Sequence, residues 1–320
     1  MAGAAMGGLV MSDAGGVLEF PLVGAGGEPV DLWRTLQSHG VAELPPARVD
    51  PATRTLTVTL ALPATPRVVT IGAGRPGFGC ITVAGPALPE QEADAMLAGV
   101  RHILRLDEDL SPFYAMIADD PDLAWATRGA GRMTRCQSVF EEIVKTICTT
   151  NCAWSATVRM VNALVEHLGE AADGAPPAGV EGRTFPSPAA MAAADEAFYR
   201  QVVRSGYRGS YLRALAQSVV AGDVDLEWLG RATPDELPDE ALRKRLLALP
   251  GVGPYAAAHI MMMLGRYSWL ILDSWTRPKY ARLVGRESVP DAEIVERFQP
   301  YGQYAGLAFW LFLTRDWVED

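Results

Sequence analysis

Five residues, Pro250-Gly251-Val252-Gly253-Pro254, break what would otherwise be one long helical stretch, and they constrain everything near them. Before them runs DEALRKRLLAL, with Leu242, Leu246, Leu247 and Leu249 at helical spacing and no β-branched residue. After them an apolar-periodic run extends from Tyr255 to about Leu264. The pattern predicts helix, tight hairpin and helix over 241–265. Two glycines one residue apart allow positive φ without a side-chain clash, so successive amides can point the same way at the start of the second helix. Such a nest binds an anion, most often a phosphate. Pro254 suits the first turn of that helix, where its missing N–H costs nothing.

Gly251, Gly253 and Ala256 also satisfy the dinucleotide fingerprint G-x-G-x-x-[GA], and an acidic residue, Asp273, follows at the distance expected of it. That fingerprint must follow a β-strand. The predicted helix before Pro250 therefore sets the nucleotide-binding oxidoreductase reading aside.

The hairpin LPGVG at 249–253, followed by the Asp of ILDSW at 273, resembles the helix-hairpin-helix superfamily of DNA base-excision glycosylases. The branch it resembles is that of 3-methyladenine glycosylase II and 8-oxoguanine glycosylase. The resemblance implies that the amides of Gly251, Val252 and Gly253 hold a DNA phosphate and that Asp273 is the catalytic carboxylate. Read as a residue alone, Asp273 is a helix N-cap. Breaking an N-glycosidic bond builds positive charge on the sugar, and a fixed carboxylate stabilises it and can orient or deprotonate the attacking water. Bifunctional members carry a Lys two residues after the second glycine, where this chain has Tyr255. A phenol cannot form an imine, so a monofunctional enzyme is expected.

Further roles follow from the resemblance. Asn151, at a helix junction, would fill the gap left by the everted nucleotide, with helix capping as its second role. Tyr207 and Arg208 would wedge the opposite strand, against the plain reading of a turn tyrosine and a solvated arginine. Arg277 would contact DNA, and Lys145 and Lys279 would face solvent or phosphate. The opposite-base arginine and two pocket residues of the 8-oxoguanine branch are replaced by Ala156, Phe309 and Leu313, so that substrate pattern is incomplete. The candidate base pocket is Trp154, Tyr255, Trp275, Phe309 and Leu313, with Trp310 beside them. Aromatic faces attract cationic bases by about 0.5 to 2 kcal/mol per contact, which favours N-alkylated purines. Oxidised purines, or lesion binding without catalysis, are the alternatives. Main-chain carbonyls of Leu247, Leu249 and Val252 would hold Na+ or K+. No iron–sulfur cluster is expected, because no cysteine follows Asp273.

Composition is consistent with this. The 320 residues are 49% hydrophobic and 21% charged, enough for one large core or two to three subdomains. No run reaches the roughly 18 apolar residues of a membrane span. The start, MAGAAMGGLVMSD, lacks the basic residues of a signal peptide, so a cytoplasmic monomer acting on double-stranded DNA is expected. The four cysteines, Cys80, Cys136, Cys148 and Cys152, form no CxxC pair and suit a reducing compartment. A net charge of −10 opposes DNA binding overall. A local basic strip suffices, and Arg243, Lys244, Arg245, Arg266, Arg277, Lys279, Arg282 and Arg286 surround the hairpin in sequence.

The expected fold class is α+β. Residues 1–88 form an antiparallel sheet subdomain, with strands at 55–60, 67–71 and 80–83 and a helical insertion at 31–38. Residues 89–320 form a helical core of two lobes with the lesion cleft between them. Within it, GAGRMTRC makes a glycine-bearing loop, 139–148 an amphipathic helix with one core face, and 169–184 a flexible linker. The apolar run 306–313 predicts a helix buried on every side.

Overall fold

The computed structural model describes residues 17–86 and 88–318. The segment MAGAAMGGLVMSD, on which the expectation of no signal peptide rests, lies outside the described residues. The expected α+β class is what the chain adopts: a small antiparallel sheet followed by helices.

Five strands, β1 (Val17–Pro21), β2 (Ala47–Asp50), β3 (Thr55–Leu60), β4 (Arg67–Ala73) and β5 (Phe78–Val83), pair antiparallel in the order β1-β5-β4-β3-β2. The register aligns Leu18 with Ile81, Ile81 with Ile71 and Ile71 with Leu56, so one apolar row crosses the sheet. That row packs with Met96, Val100 and Ile103 of the first long helix. The two edge strands are only five and four residues long and escape a reading by periodicity. Helix α1 (Leu32–Leu36) interrupts the sheet and starts at Asp31, whose carboxylate accepts from the Arg34 amide at 2.9 Å.

The helices that follow are α2 (Glu90–Ile103), α3 (Ser111–Ile117), α4 (Val139–Thr149), α5 (Trp154–Leu168), α6 (Pro188–Ala193) and α7 (Arg208–Ala221). Then come α8 (Leu226–Arg231), α9 (Asp239–Leu247), α10 (Pro254–Met263), α11 (Thr276–Leu283), α12 (Asp291–Phe298) and α13 (Ala305–Thr314). They build two cores. One gathers α4, α5, α7 and α9; the other gathers α3, α11, α12 and α13. Helix α10 belongs to both: Ala257, Ile260 and Met261 enter the first, and Ala258, Met262 and Met263 the second. Its apolar residues run all round because it is surrounded. Among the described residues no helix is long and apolar enough to cross a membrane.

Two expectations change. Helix α4 is buried on its charged side as well. Glu141, Glu142 and Lys145 are all enclosed, Lys145 bonding Glu141 at 2.7 Å and the Leu44 carbonyl at 2.9 Å. Lys145 is therefore a strut between the sheet subdomain and the helices, not a solvent or phosphate contact. The segment 169–184 is no loose linker either. Ala171 bridges Arg183, and Ala172 and Thr184 donate across it to the Gly182 and Glu170 carbonyls at 2.7 and 2.9 Å.

Buried titratable groups give the fold an acid limit. Burial lowers His39 to about 3, with His259 adding to it, and lowers His259 to about 4; burial and then Arg135 lower His102 to about 4. Unfolded, each of these histidines takes a proton near its ordinary value of 6.5, so their neutral burial stabilises the fold above that pH and is lost below it. Glu142, raised by burial to about 7, works the other way, because the fold holds its proton where the unfolded chain does not. The balance is about two protons, or roughly 2–3 kcal/mol per pH unit, lost as pH falls from about 6.5 to 4.5. Urea denaturation across that range measures the slope, and a flat profile contradicts the assignment.

Candidate active-site cleft

The hairpin is shaped by its own sequence. Helix α9 ends at Leu247, and the turn closes with the Val252 amide donating to the Leu249 carbonyl at 3.2 Å. Gly251 sits at φ +80, where a side chain is strained, and a Cβ there would lie 3.0 Å from the Tyr211 side chain. Gly253 departs from expectation. Its φ is −96 with extended ψ, and it is the N-cap of α10, so only one of the two glycines uses the left-handed region. Nothing lies within 4 Å of where a Gly253 Cβ would stand, so this backbone faces open space. Pro254 opens α10 as predicted.

Across from the hairpin stands Asp273, and a cleft of about 770 Å³ joins them. Its walls include Gly251 to Tyr255, Asp273, Arg277, Asn151 and Tyr207. Asp273 does cap a helix. Its Oδ1 accepts from the Trp275 and Thr276 amides at 2.8 and 2.7 Å, while its own amide donates to Thr276 Oγ1 at 2.8 Å. This reciprocal pair locks the carboxylate with one oxygen, and Oδ2 accepts no hydrogen bond among the described residues. Pro278 is the third residue of α11, where helix amides have no intrahelical partner, so it disturbs nothing. Tyr255 is half-buried on the same wall. Burial raises its hydroxyl; a hydrogen bond with Thr149 opposes this, and the charge of Asp273 adds to it.

Asn151 lies between α4 and α5 at φ +45, a conformation asparagine tolerates. It caps neither helix: the α5 cap is Ala153 and makes no side-chain bond. Instead its Nδ2 donates to the Tyr207 hydroxyl at 3.4 Å, bringing two distant residues to one lip of the cleft. Tyr207 is exposed, meets Tyr211 edge-on at 5.9 Å and lies 4.6 Å from the Arg208 guanidinium. Arg208 itself is only 7% exposed and donates to the Thr150 carbonyl, so it positions the lip from behind and is not a free wedge. Arg277 reaches the cleft with its guanidinium held by Asp291 at 2.7 and 2.8 Å.

The predicted base pocket is not assembled on this wall. Phe309 and Leu313 are 0% exposed in the second core, with Phe309 against Phe298 at 5.2 Å and Tyr280 at 6.1 Å. Trp275 packs on Trp310 and Trp317, each at 5.6 Å, and Trp154, 48% exposed, stands beside Gly40. Of the five, Tyr255 alone lines the cleft. Several cations near the hairpin in sequence are tied elsewhere: Arg266 to Asp239, Lys279 to Asp316 and Arg286 to Glu293. Lys244, Arg245 and Arg282 remain exposed, outside any ion pair among the described residues. Thr149, Thr150 and Tyr211 also line the cleft and were not picked out from sequence. Tyr211 was findable, lying one helical turn beyond Tyr207. Among the described residues no group of three or more His, Cys, Asp or Glu is placed to hold a metal ion.

No protein-family model matches the sequence, and no curated protein matches it. Solved structures do. A 3-methyladenine DNA-glycosylase from Archaeoglobus fulgidus superposes with TM-score 0.69 at 20% identity, covering 94% of this chain and 99% of that one. The 8-oxoguanine glycosylase/lyase of Clostridium acetobutylicum in its apo-form gives 0.69 at 18% identity over 95% and 98%. The same protein in complex with double-stranded DNA containing cytosine opposite 8-oxoG gives 0.70 at 18% over 96% and 97%. The chain shares the fold of these DNA glycosylases. In this chain the hairpin and Asp273 line one cleft.

The two hairpin glycines separate by experiment. Gly251→Ala is expected to cost about 1–3 kcal/mol, because it forces a side chain into positive φ against Tyr211. Gly253→Ala is expected to stay within about 0.5 kcal/mol of the parent. Chemical denaturation of both variants checks this.

Proposed function

We propose that this protein is a DNA glycosylase of base-excision repair that everts a modified base from duplex DNA and hydrolyses its N-glycosidic bond. The observation that carries the reading is the shared cleft of hairpin and Asp273, with one carboxylate oxygen locked by helix amides and the other open. A phosphate seated at the open backbone of Gly253 and the start of α10 meets amides that have no helical partner. That contact would hold the sugar of the everted nucleotide over Asp273, and Asn151 with Tyr207 would fill the vacated stack. A carboxylate already fixed by two hydrogen bonds needs no reorganisation when positive charge develops on the sugar.

With Tyr255 at the position of the bifunctional lysine, the reaction uses water and leaves an abasic site. The aromatic side chains that line the cleft, Tyr207, Tyr211 and Tyr255, favour N-alkylated purines as substrates. The family resemblance also implies Na+ or K+ at the Leu247, Leu249 and Val252 carbonyls. The Leu247 carbonyl fits, ending α9 with no backbone donor among the described residues at the negative end of the helix, whereas that of Leu249 also accepts from the Val252 amide. Such an ion would stiffen the hairpin. The partner is double-stranded DNA with a modified base, bound by a monomer in the cytoplasm.

Single-turnover assays on duplexes carrying one modified base test the reading, with and without alkali. Asp273→Asn is expected to lower base release about 10²–10³-fold while duplex affinity holds. Strand cleavage is expected only after alkali, and borohydride is expected to trap no protein–DNA adduct. Gly253→Ala, expected to keep the parent's stability, is expected to lower duplex affinity about tenfold, roughly 1.4 kcal/mol. Lesion binding with no release of any base would identify a non-catalytic lesion binder instead.

A further inference from the structure

Two further histidines, His39 and His259, meet close to Tyr255. His39 stands just before Gly40 in the sheet subdomain, and His259 lies on α10 one turn beyond Tyr255. Both are deeply buried, at 4% and 5% exposure. Their rings meet edge to face with centroids 6.2 Å apart, and the Tyr255 ring is likewise 6.2 Å from that of His259.

The hydrogen bonding of this pair is incomplete. His39 Nε2 is 2.7 Å from the Thr134 carbonyl, which can only accept, so Nε2 carries the proton and Nδ1 is left an acceptor. That Nδ1 has no partner among the described residues, and neither does Nε2 of His259. Buried polar atoms are almost always paired, so two orphans on adjoining rings call for an occupant. The surroundings suit a planar aromatic one. Gly40 abuts the ring of Trp154, and the Ser38 carbonyl accepts from Trp310 Nε1 at 2.8 Å, so an indole touches the loop on each chain neighbour of His39. Gly40 itself is exposed, and a Cβ built there would touch only the Trp154 ring, at 3.8 Å.

We propose that His39 and His259 are the specificity-determining residues of the base pocket, His39 Nδ1 accepting a hydrogen bond from an N–H on the edge of the everted base. The inference rests on the glycosylase reading and narrows its substrate class to purines that present an amino N–H there, such as N-alkylated adenines. Burial keeps both rings neutral at neutral pH, His39 falling to about 3 and His259 to about 4, so the pocket does not repel a cationic base.

The test compares two damaged adenines under single-turnover conditions, 3-methyladenine with its amino group free and 1,N6-ethenoadenine with that group bridged. The parent is expected to release the first at least tenfold faster. His39→Leu is expected to bring the ratio to within about threefold of one, with duplex affinity kept, and His39→Gln, which retains an acceptor, to restore part of it. His259→Phe, which keeps the aromatic volume on α10, is expected to lower the ratio likewise. Variants that slow both lesions equally, in step with a lower melting temperature, would make the pair a structural element bridged by buried water and overturn the proposal. Parent protein that releases neither base, nor any other, would instead overturn the glycosylase reading itself.

Discussion

Helix α10 is shared between two hydrophobic cores, and the rest of the architecture depends on that sharing. Ala257, Ile260 and Met261 on one side and Ala258, Met262 and Met263 on the other leave the helix no solvent face beyond its first turn. Fully burying a methionine or isoleucine stabilises a fold by about 1.5–3 kcal/mol, so displacing α10 would weaken both lobes together. Its C-terminal end is clasped by Arg105, which is itself enclosed and bonds the Met133 carbonyl at 2.8 Å as well as that of Met263. Because the helix cannot move, the hairpin at its start and Tyr255 in its first turn are held where the two lobes meet, and the cleft opens there.

The same rigidity explains how an acidic chain could handle DNA. Most cations near the hairpin in sequence are occupied by carboxylates, and Arg266 is wholly structural, bonding Asp239 and the Leu237 carbonyl at 2.5 Å. Under the proposed reading the grip therefore comes mainly from main-chain amides and the dipole of α10, with Lys244, Arg245 and Arg282 as the free charges nearby. Few phosphates are neutralised by side chains in such a site, so its affinity depends weakly on salt compared with a basic groove. Enclosed ion pairs serve a different end. Arg132 bonds Glu28, and Lys145 joins Glu141 to the Leu44 carbonyl, each tying the sheet subdomain to the helical body. Those ties carry the loop with His39 to its place against α10.

Much of this was legible in the chain itself. The glycine-proline hairpin, the helices flanking it, the central strands and the buried closing helix follow from periodicity and turn chemistry, which act over a few residues. Asp273 could be singled out too, because its distance from the hairpin is a sequence property, and so could its second life as a cap. Tertiary structure decided the rest. It set Phe309 and Leu313 in a core and Tyr255 on a wall, buried Lys145 and Arg208, drew Asn151 to Tyr207, and brought His39 from the sheet against His259 on α10. An aromatic or a charged residue reads the same in sequence whether it faces a cleft, a core or a carbonyl of another element, since what it touches is fixed by contacts between segments far apart along the chain.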